Sequence, residues 1–298
     1  MSLTFKSSIN RIIDDIARTF LTDKVADRIW LSTDLRSLLM AAECPHTEAE
    51  NCVEYFLTGI IRAAGNNRTI LVSAFNFDFP KTKLFDTRIN PVQTGAFGNY
   101  LLKKHAKNRM VHPFYSFLVF GNEALELTKK RFKSSTGKDS ILGWVVDEGT
   151  DLLTIGHHYV KSLSTVHHAE HLVGVSYRYP KLFSGECHSF GQIEEAECQF
   201  YVREIGICDH SSLTLSGDEG FRNHELVTAS IVGVGRRPAL AHCINLAKSH
   251  KLMYDDLNIG QTNYVDYFGP ERANKEVITA RMSDTLYNAE LKEKINTN

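Results

Sequence analysis

The sequence predicts an α/β protein, a three-layer α/β/α arrangement around a central, mostly parallel (mixed) sheet with extra strands late in the chain. Three observations predict it. Continuous apolar runs such as TILVSAF have the character of strands buried on both faces. Segments with helical three/four spacing alternate with them. After Arg178 the pattern changes to polar, β-leaning pieces such as QFYVREI.

The elements follow in order. Ile9, Ile12, Ile13, Ile16 and Phe20 give residues 7–22 the spacing of an amphipathic helix. RIWLSTDLRS reads as a short buried strand entering a polar turn. Thr47 and Glu50 form a capping box before the helix CVEYFLTGIIRAAG, which ends at Gly65. The strand TILVSAF, a polar loop over 76–94, a helix from about Gly95, the strand SFLVFG, a helix at 122–132 and the strand DLLTIG at 151–156 complete the first part. Later, ASIVGVG reads as a strand and PALAHCINLAKSH as a helix, and the tail 270–298 holds one short helix near 284–294. No repeat or linker divides the chain, so one domain over 1–298 is expected, with strands inserted over 181–235.

Composition narrows the function. A net charge of −1 over 298 residues offers no broad basic surface for nucleic acid. No apolar run approaches the roughly 18 to 20 residues needed to span a bilayer, and MSLTFKSSINRIIDD has no signal-peptide stretch, so a cytoplasmic location is expected. The cysteines at 44, 52, 187, 198, 208 and 243 form no CxxC pair, which favours free thiols over a structural zinc site.

The stretch SLSTVHHAEH, Ser162 to His171, concentrates chemistry just past a strand end, where active-site groups gather in α/β folds. On a helix His167 and Glu170 share a face, so the carboxylate can hold one imidazole nitrogen and leave the other as a base. His168 and His171 make a second pair on a neighbouring face. A metal alternative would use His167 and His171 with a third ligand, but HExxH is absent, and no metal is expected.

The pattern Ser164, His167, Glu170 resembles the threonine, histidine, glutamate series of the aminoglycoside 3-N-acetyltransferase family. Four further segments resemble the family in the same order: STDLRS at 32–37, AFNFDFPKTKLFDTRINPVQTGAFGNYL at 74–101, RMVHPFYSFLVFG at 109–121 and GKDSILGWVVD at 137–147. The resemblance is close over 28–180 and loose over 181–255. Two positions depart from it: Tyr115 stands where the family often has a second histidine, and Ile141 where it has a proline.

The resemblance implies direct acyl transfer from acetyl coenzyme A, or another acyl-CoA, to an amine of an amino sugar, in a ternary complex and without a metal. His167 is the expected general base and Glu170 its orienting acid. Ser164 or Thr165 supplies a hydroxyl to the oxyanion or the departing sulfur. Ser32, Thr33, Leu35, Arg36, His112, Ser116 and Ser140 are expected to hold the coenzyme. Asp86, Arg203 and Asp209 are candidate contacts for the acceptor. A strongly acidic protein would suit a polycationic aminoglycoside. The near-neutral pI of about 6.9 points instead to a nucleotide-linked or surface-glycan amino sugar, with an aminoglycoside as the alternative acceptor. A non-catalytic glycan- or coenzyme-binding homologue and a metal-dependent hydrolase are the readings from other classes. The expected partner is a small molecule, not a membrane or nucleic acid, and a homo-oligomer stays open.

Overall fold

The computed structural model describes residues 3–22, 25–233 and 237–297. The chain begins with α1 (Leu3–Phe20), which buries Ile9, Ile12, Ile13, Ile16 and Phe20 as their spacing predicts. β1 (Arg28–Thr33) leads into α2 (Leu35–Ala41), whose N-cap Asp34 accepts the Ser37 N–H at 2.8 Å. Before α3 (Ala49–Ala64) the Thr47–Glu50 capping box does not form. His46–Glu48 make a 3-10 turn, closed by Glu48 N–H on the Pro45 carbonyl at 2.9 Å, so Thr47 sits inside a turn and not at a helix cap.

β2 (Thr69–Ser73) comes next, and the 76–94 stretch contains two short elements, α4 (Phe79–Thr82) and β3 (Leu84–Asp86). α5 (Ala96–His105) starts after Gly95, whose φ of 138° suits glycine alone. β4 (Phe117–Gly121) lies as read, but the helix expected over 122–132 contracts to α6 (Ala124–Leu127). Leu127 is its one buried anchor while Leu125 is exposed, and Arg131 folds back onto the carbonyls of residues 128–130 in place of another turn.

α7 (Ile141–Asp147), β5 (Thr150–Ile155) and α8 (Val166–Val173) follow. β6 (Arg178–Ser189) and β7 (Gln192–Arg203) form a long hairpin turning at Phe190 and Gly191, whose φ values of 43° and 89° match a type I′ turn. The chain then runs through β8 (His210–Leu213), α9 (Leu215–Asn223) and β9 (Val227–Val232). β9 covers most of ASIVGVG, whose Val234 and Gly235 lie outside the described residues.

The helix expected over PALAHCINLAKSH is divided into β10 (Ala239–Asn245) and α10 (Leu246–Asn258). Residues 239–242 are buried on both faces between two partner strands, and this pairing overrides the helix preference of alanine and leucine. Asn245 ends the strand and caps the helix by accepting Lys248 N–H at 2.9 Å. β11 (Val265–Phe268) precedes α11 (Ala280–Thr297), a longer tail helix than the sequence suggests. Among the described residues no helix is long and apolar enough to cross a membrane.

The six-stranded sheet has the order β4-β2-β1-β5-β10-β9. β2, β1 and β5 pair in parallel, β4 and β10 run against them, and β9 reverses again, so β1, β2, β5 and β9 point the same way. Alternate side chains of the central strands enter separate cores. Ile29, Leu31, Ile70, Val72, Leu153 and Ile155 pack beneath α1, α2, α3 and α5, whereas Trp30, Leu71 and Leu152 pack with α7, α8 and α10. Each such burial contributes about 1.5–3 kcal/mol. β3, β6 and β7 form a second sheet, and β8 pairs with β11. β1 connects onward to β2 on one side and β5 to β10 by way of the later elements on the other. Their neighbouring carboxyl ends therefore face a crevice of the kind where α/β sheets hold ligands.

The G-x-x-S-x-x-G segment, Gly137 to Gly143, fits α7 against α8. Ser140 is the N-cap of α7 and accepts Gly143 N–H at 2.9 Å. A Cβ on Gly143 would stand 2.9 Å from His168 Cε1, and one on Gly137 3.0 Å from His171 Cε1. His168 and His171 are in turn fixed on Thr136, by its carbonyl at 2.6 Å and its hydroxyl at 2.9 Å. Gly143→Ala is expected to destabilise the protein by about 1–3 kcal/mol, the usual cost of forcing an extra methyl into a packed interior, read as a lower midpoint in urea denaturation.

Candidate active site

The site grows from the end of β5. Gly156 turns the chain at φ 82°, a 3-10 turn over Tyr159–Ser162 follows, and α8 begins at Val166. Glu170 points inward and is fully buried, with His167 one turn earlier on the same face. Gly174, left-handed at φ 76°, ends α8 and brings Tyr177 and Arg178 back to the same carboxylate.

Four groups then meet. His167 Nδ1 lies 2.8 Å from Glu170 Oε2, and Tyr177 donates its hydroxyl to Oε1 at 3.0 Å. Arg178 Nε stands 2.9 Å from Oε2 in an ion pair whose N–H is not directed along the contact. The rest of the Arg178 guanidinium is held by the Tyr201 carbonyl at 3.2 Å and Ser211 Oγ at 2.7 Å.

Burial pushes the Glu170 carboxyl up, but Arg178, His167 and hydrogen bonds from His167 and Ser211 outweigh it, so its pKa falls below the ordinary carboxylate value. For His167 burial acts first and Arg178 second; both lower its pKa, while Glu170 opposes them. The ring is thus neutral at pH 7. An ionised carboxylate only accepts, so Nδ1 carries the proton and Nε2 keeps its lone pair. A neutral imidazole held in one tautomer, one-fifth exposed, has a free Nε2 lone pair that can take a proton.

His167 stands where cavities converge. One, of about 700 Å³, is lined by Phe77, Tyr115, Phe200, Arg203, Asp209 and His210. A narrower one, of about 210 Å³, passes Ser164, Leu163 and Ser283, and the two share His167, His210 and Ser211. The third, of about 930 Å³, lies over the β1 exit and includes Ser32, Thr33, Leu35, Arg36, Ser162 and Arg237; it shares Lys161 and Ala280 with the narrow one. A chain of shared walls therefore runs from the β1 loop past His167 to the β6–β7 hairpin.

The expected residues divide along these lines. His167 and Glu170 are paired, Ser164 lines the narrow passage, and Ser32, Thr33, Leu35 and Arg36 line the large cavity. Arg203 and Asp209 share the cavity beside the hairpin. Thr165 is buried, away from the passage, with no hydrogen-bond partner for its hydroxyl. His167 and His171 do not converge as a metal pair. His171 stacks on Tyr201 at 4.1 Å and bonds Thr136, whereas His167 is turned to Glu170.

Four of the expected residues are buried in the scaffold. His112 is fully buried, and its Nδ1 accepts the N–H groups of Phe114 and Tyr115 at 3.2 and 2.8 Å, so it shapes the loop that presents Tyr115. Ser116 is also buried and bonds the Ala74 carbonyl at 2.5 Å and Arg109 Nε at 3.0 Å. Ser140 is occupied as the α7 cap. Asp86 is buried in a turn, where it accepts from Arg88 N at 2.8 Å and from Arg88 Nη2 at 2.6 Å. All four hold local loop and helix-cap geometry through these bonds.

The sequence gives no spacing signal for Tyr177, Ser211 or His210, nor for the Arg178 contact with Glu170, because β6 and β8 reach the helix only through the tertiary fold. The hydroxyl cluster of Ser32, Ser162 and His157, with Ser32 Oγ 2.8 Å from Ser162 Oγ and His157 Nε2 2.9 Å from Ser162 Oγ, was likewise invisible.

The model of the aminoglycoside 3-N-acetyltransferase family matches residues 74–202, and the resemblance read from the sequence is borne out. Among solved structures, "AAC-IIIb binary with CoASH" superposes with a TM-score of 0.63 at 15% identity, covering 85% of this chain and 97% of its own. "AAC-VIa bound to Sisomicin" gives 0.61 at 16% identity, with 86% and 98% covered. The YokD protein from Bacillus subtilis gives 0.57 at 13%, with 84% and 97% covered. At these identities the likeness is one of fold. No curated protein sequence matches the chain.

Arg178→Met is expected to leave Glu170 buried without its cation. Losing one partner of a buried pair costs about 3–5 kcal/mol, which urea denaturation would register. Removing Arg178 also raises the His167 pKa. In the variant any activity that needs the neutral ring falls off at higher pH than in the parent, as a pH–rate profile would show.

Proposed function

We propose that the protein is an acyl-CoA-dependent N-acetyltransferase of the aminoglycoside 3-N-acetyltransferase type, with His167 as general base. The observation that carries this is the His167–Glu170–Arg178 cluster where the cleft beside the hairpin meets the narrow passage that leads to the β1-exit cleft. The cleft over the β1 exit suits the donor. Arg36, Lys161 and Arg237 supply cations for phosphates, and Ser32, Thr33 and Ser162 supply hydroxyls for amides. The cleft beside the hairpin takes the acceptor, with Phe77, Tyr115 and Phe200 as aromatic walls for a sugar ring.

The reaction follows from this placement. His167 Nε2 takes a proton from the acceptor ammonium or from the amine as it adds. The nitrogen lone pair forms the C–N bond at the thioester carbonyl, the C–S bond breaks, and the sulfur leaves as thiolate. Glu170 stabilises the imidazolium through Nδ1–H, and the thiolate or water receives the proton afterwards. Ser164, on the passage wall, is the hydroxyl placed to donate to the oxyanion or the departing sulfur; buried Thr165 is not.

For the acceptor, an aminoglycoside amine is the leading reading, because solved structures of this fold hold sisomicin and apramycin. The preference for a nucleotide-linked or surface-glycan amino sugar, drawn from net charge, becomes the second reading. One feature favours it: Arg203 stands in the acceptor cleft with Arg178, against Asp209 as its exposed carboxylate. That balance suits an acceptor carrying an anionic group.

Thiol release from acetyl coenzyme A against a panel of aminoglycosides and nucleotide-linked amino sugars tests both readings. Acceptor-dependent release that falls by roughly 10² to 10⁴ in His167→Ala supports the mechanism. Undiminished release in the variant removes His167 as base, and silence with every acceptor removes the transferase reading. Because burial and Arg178 lower the His167 pKa, the acid limb of kcat/KM is expected below the ordinary histidine value of about 6.5. Activity is full above that limb and is lost as pH falls through it; a limb above that value would contradict the assignment.

A further inference from the structure

A second polar cluster lies beneath α11, apart from the His167 cleft. His158, His242 of β10 and Glu290 of α11 each bring a ligand-capable atom to within 4.8 Å of the others. Asp218 of α9 stands at the edge, with Oδ1 3.7 Å from His158 Nε2. His242 Nε2 is 2.9 Å from Glu290 Oε2. Both imidazoles are sealed from solvent, and both carboxylate side chains are 13% exposed.

One observation separates this cluster from an ordinary ion-pair network. Neither ring nitrogen of His158 has a hydrogen-bond partner, although the side chain is fully buried. A buried polar group left unsatisfied costs about 1–3 kcal/mol, and such a group calls for an explanation. The ring is held face to face on Tyr159 at 4.6 Å, so its nitrogens are aimed by packing.

We propose that His158, His242, Glu290 and Asp218 form a structural site for a divalent, zinc-type cation that pins α11 to the sheet. Two imidazoles and two carboxylates are a donor set zinc accepts, and a site closed by four protein donors is structural. The outer oxygens are already engaged as such sites require. Arg222 donates Nη1 to Glu290 Oε1 at 2.9 Å and Nε to Asp218 Oδ2 at 3.2 Å, whereas Tyr159 donates its hydroxyl to Asp218 Oδ1, the oxygen that faces His158 and that Tyr159 would share with the ion. Arg222 also reaches Glu290 Oε2 at 3.0 Å, an oxygen it would share with the ion. With neutral histidines the two carboxylates exceed Arg222 by one negative charge, and a divalent cation reverses that excess. Bonds of 2.0–2.1 Å set a tetrahedron edge of about 3.4 Å, close to the 3.7 Å between His158 Nε2 and Asp218 Oδ1 and the 2.9 Å between His242 Nε2 and Glu290 Oε2.

Pinning α11 matters to the clefts. Its Ala280 lines both the donor cavity and the narrow passage, Ser283 lines the passage, and Asp284 pairs with Lys161 of the donor wall at 2.5 Å. The proposal does not depend on the acyltransfer reading.

Metal content of the full-length protein, purified without chelator or metal resin, is measured by elemental analysis. The chelator-dialysed protein is then titrated with Co(II) and read by its visible absorption. Near-stoichiometric zinc, or one Co(II) per chain that zinc displaces, is the expected result. His158→Ala and His242→Ala should each weaken Co(II) by more than the roughly 10–100-fold that loss of an outer-shell partner costs, while His167→Ala keeps it. The cobalt measurement on the parent protein stands even if the His158 or His242 variants fail to fold. The proposal is overturned if the parent carries no zinc and binds no Co(II), which leaves an internal water as the partner of His158. It is equally overturned if His158→Ala binds Co(II) as tightly as the parent.

Discussion

The Glu170 carboxylate is the charge around which the rest of the site is built. It is buried at the base of α8, and a buried carboxylate persists only when cations and hydrogen bonds surround it. His167, Tyr177, Arg178 and Ser211 supply them from three separate elements: α8, the start of β6 with the residue before it, and β8. The left-handed Gly174 that returns the chain and the pairing of β8 with β11 are therefore conditions for the base as well as for the fold. A network of this kind is costly when incomplete, because each missing partner leaves the same charge uncompensated.

Much of the architecture was legible in the sequence because it rests on burial pattern. The apolar stripe of α1 and the doubly buried runs of β1, β2 and β5 carry their own periodicity. What misled was local preference set against tertiary pairing. PALAHCINLAKSH has helix-favouring residues throughout, but its first half is clamped between β5 and β9. The capping box at Thr47 and Glu50 had the right letters, and a turn after Pro45 occupied the place where the cap would stand. In the site, His167 and Glu170 were readable because three residues on a helix fix a shared face. Arg178 as their cation was not, since nothing in its spacing says which carboxylate a later strand will meet.

The family-like segments sort into two physical kinds. STDLRS and the histidine series line cavities, and chemistry can use them directly. Arg109–His112–Pro113, the FDTR turn and Gly137–Gly143 do their work inside. Arg109 reaches the carbonyls of Ala74 and Asn90 and lies over Phe85, which ties three loops behind the sheet edge. His112 shapes the turn at Tyr115, and the two glycines let α7 approach the histidines of α8. A residue pattern shared with a family can thus mark a ligand contact or the scaffold that places one, and burial distinguishes them where the letters do not.

The hairpin of β6 and β7 has a further consequence. Its base carries Phe200, Val202 and Arg203 to the cavity wall directly opposite Lys181, Tyr179 and Arg178, so the strand that holds Arg178 by the Tyr201 carbonyl also lines the cavity beside His167. His167, Glu170 and the walls of the cavity over the β1 exit come from other segments. A substitution at Val202 or Arg203 therefore reshapes the cavity wall and the support of the Glu170 ion pair together, whereas the turn end of the hairpin at Phe190 and Gly191 is free to vary without reaching either.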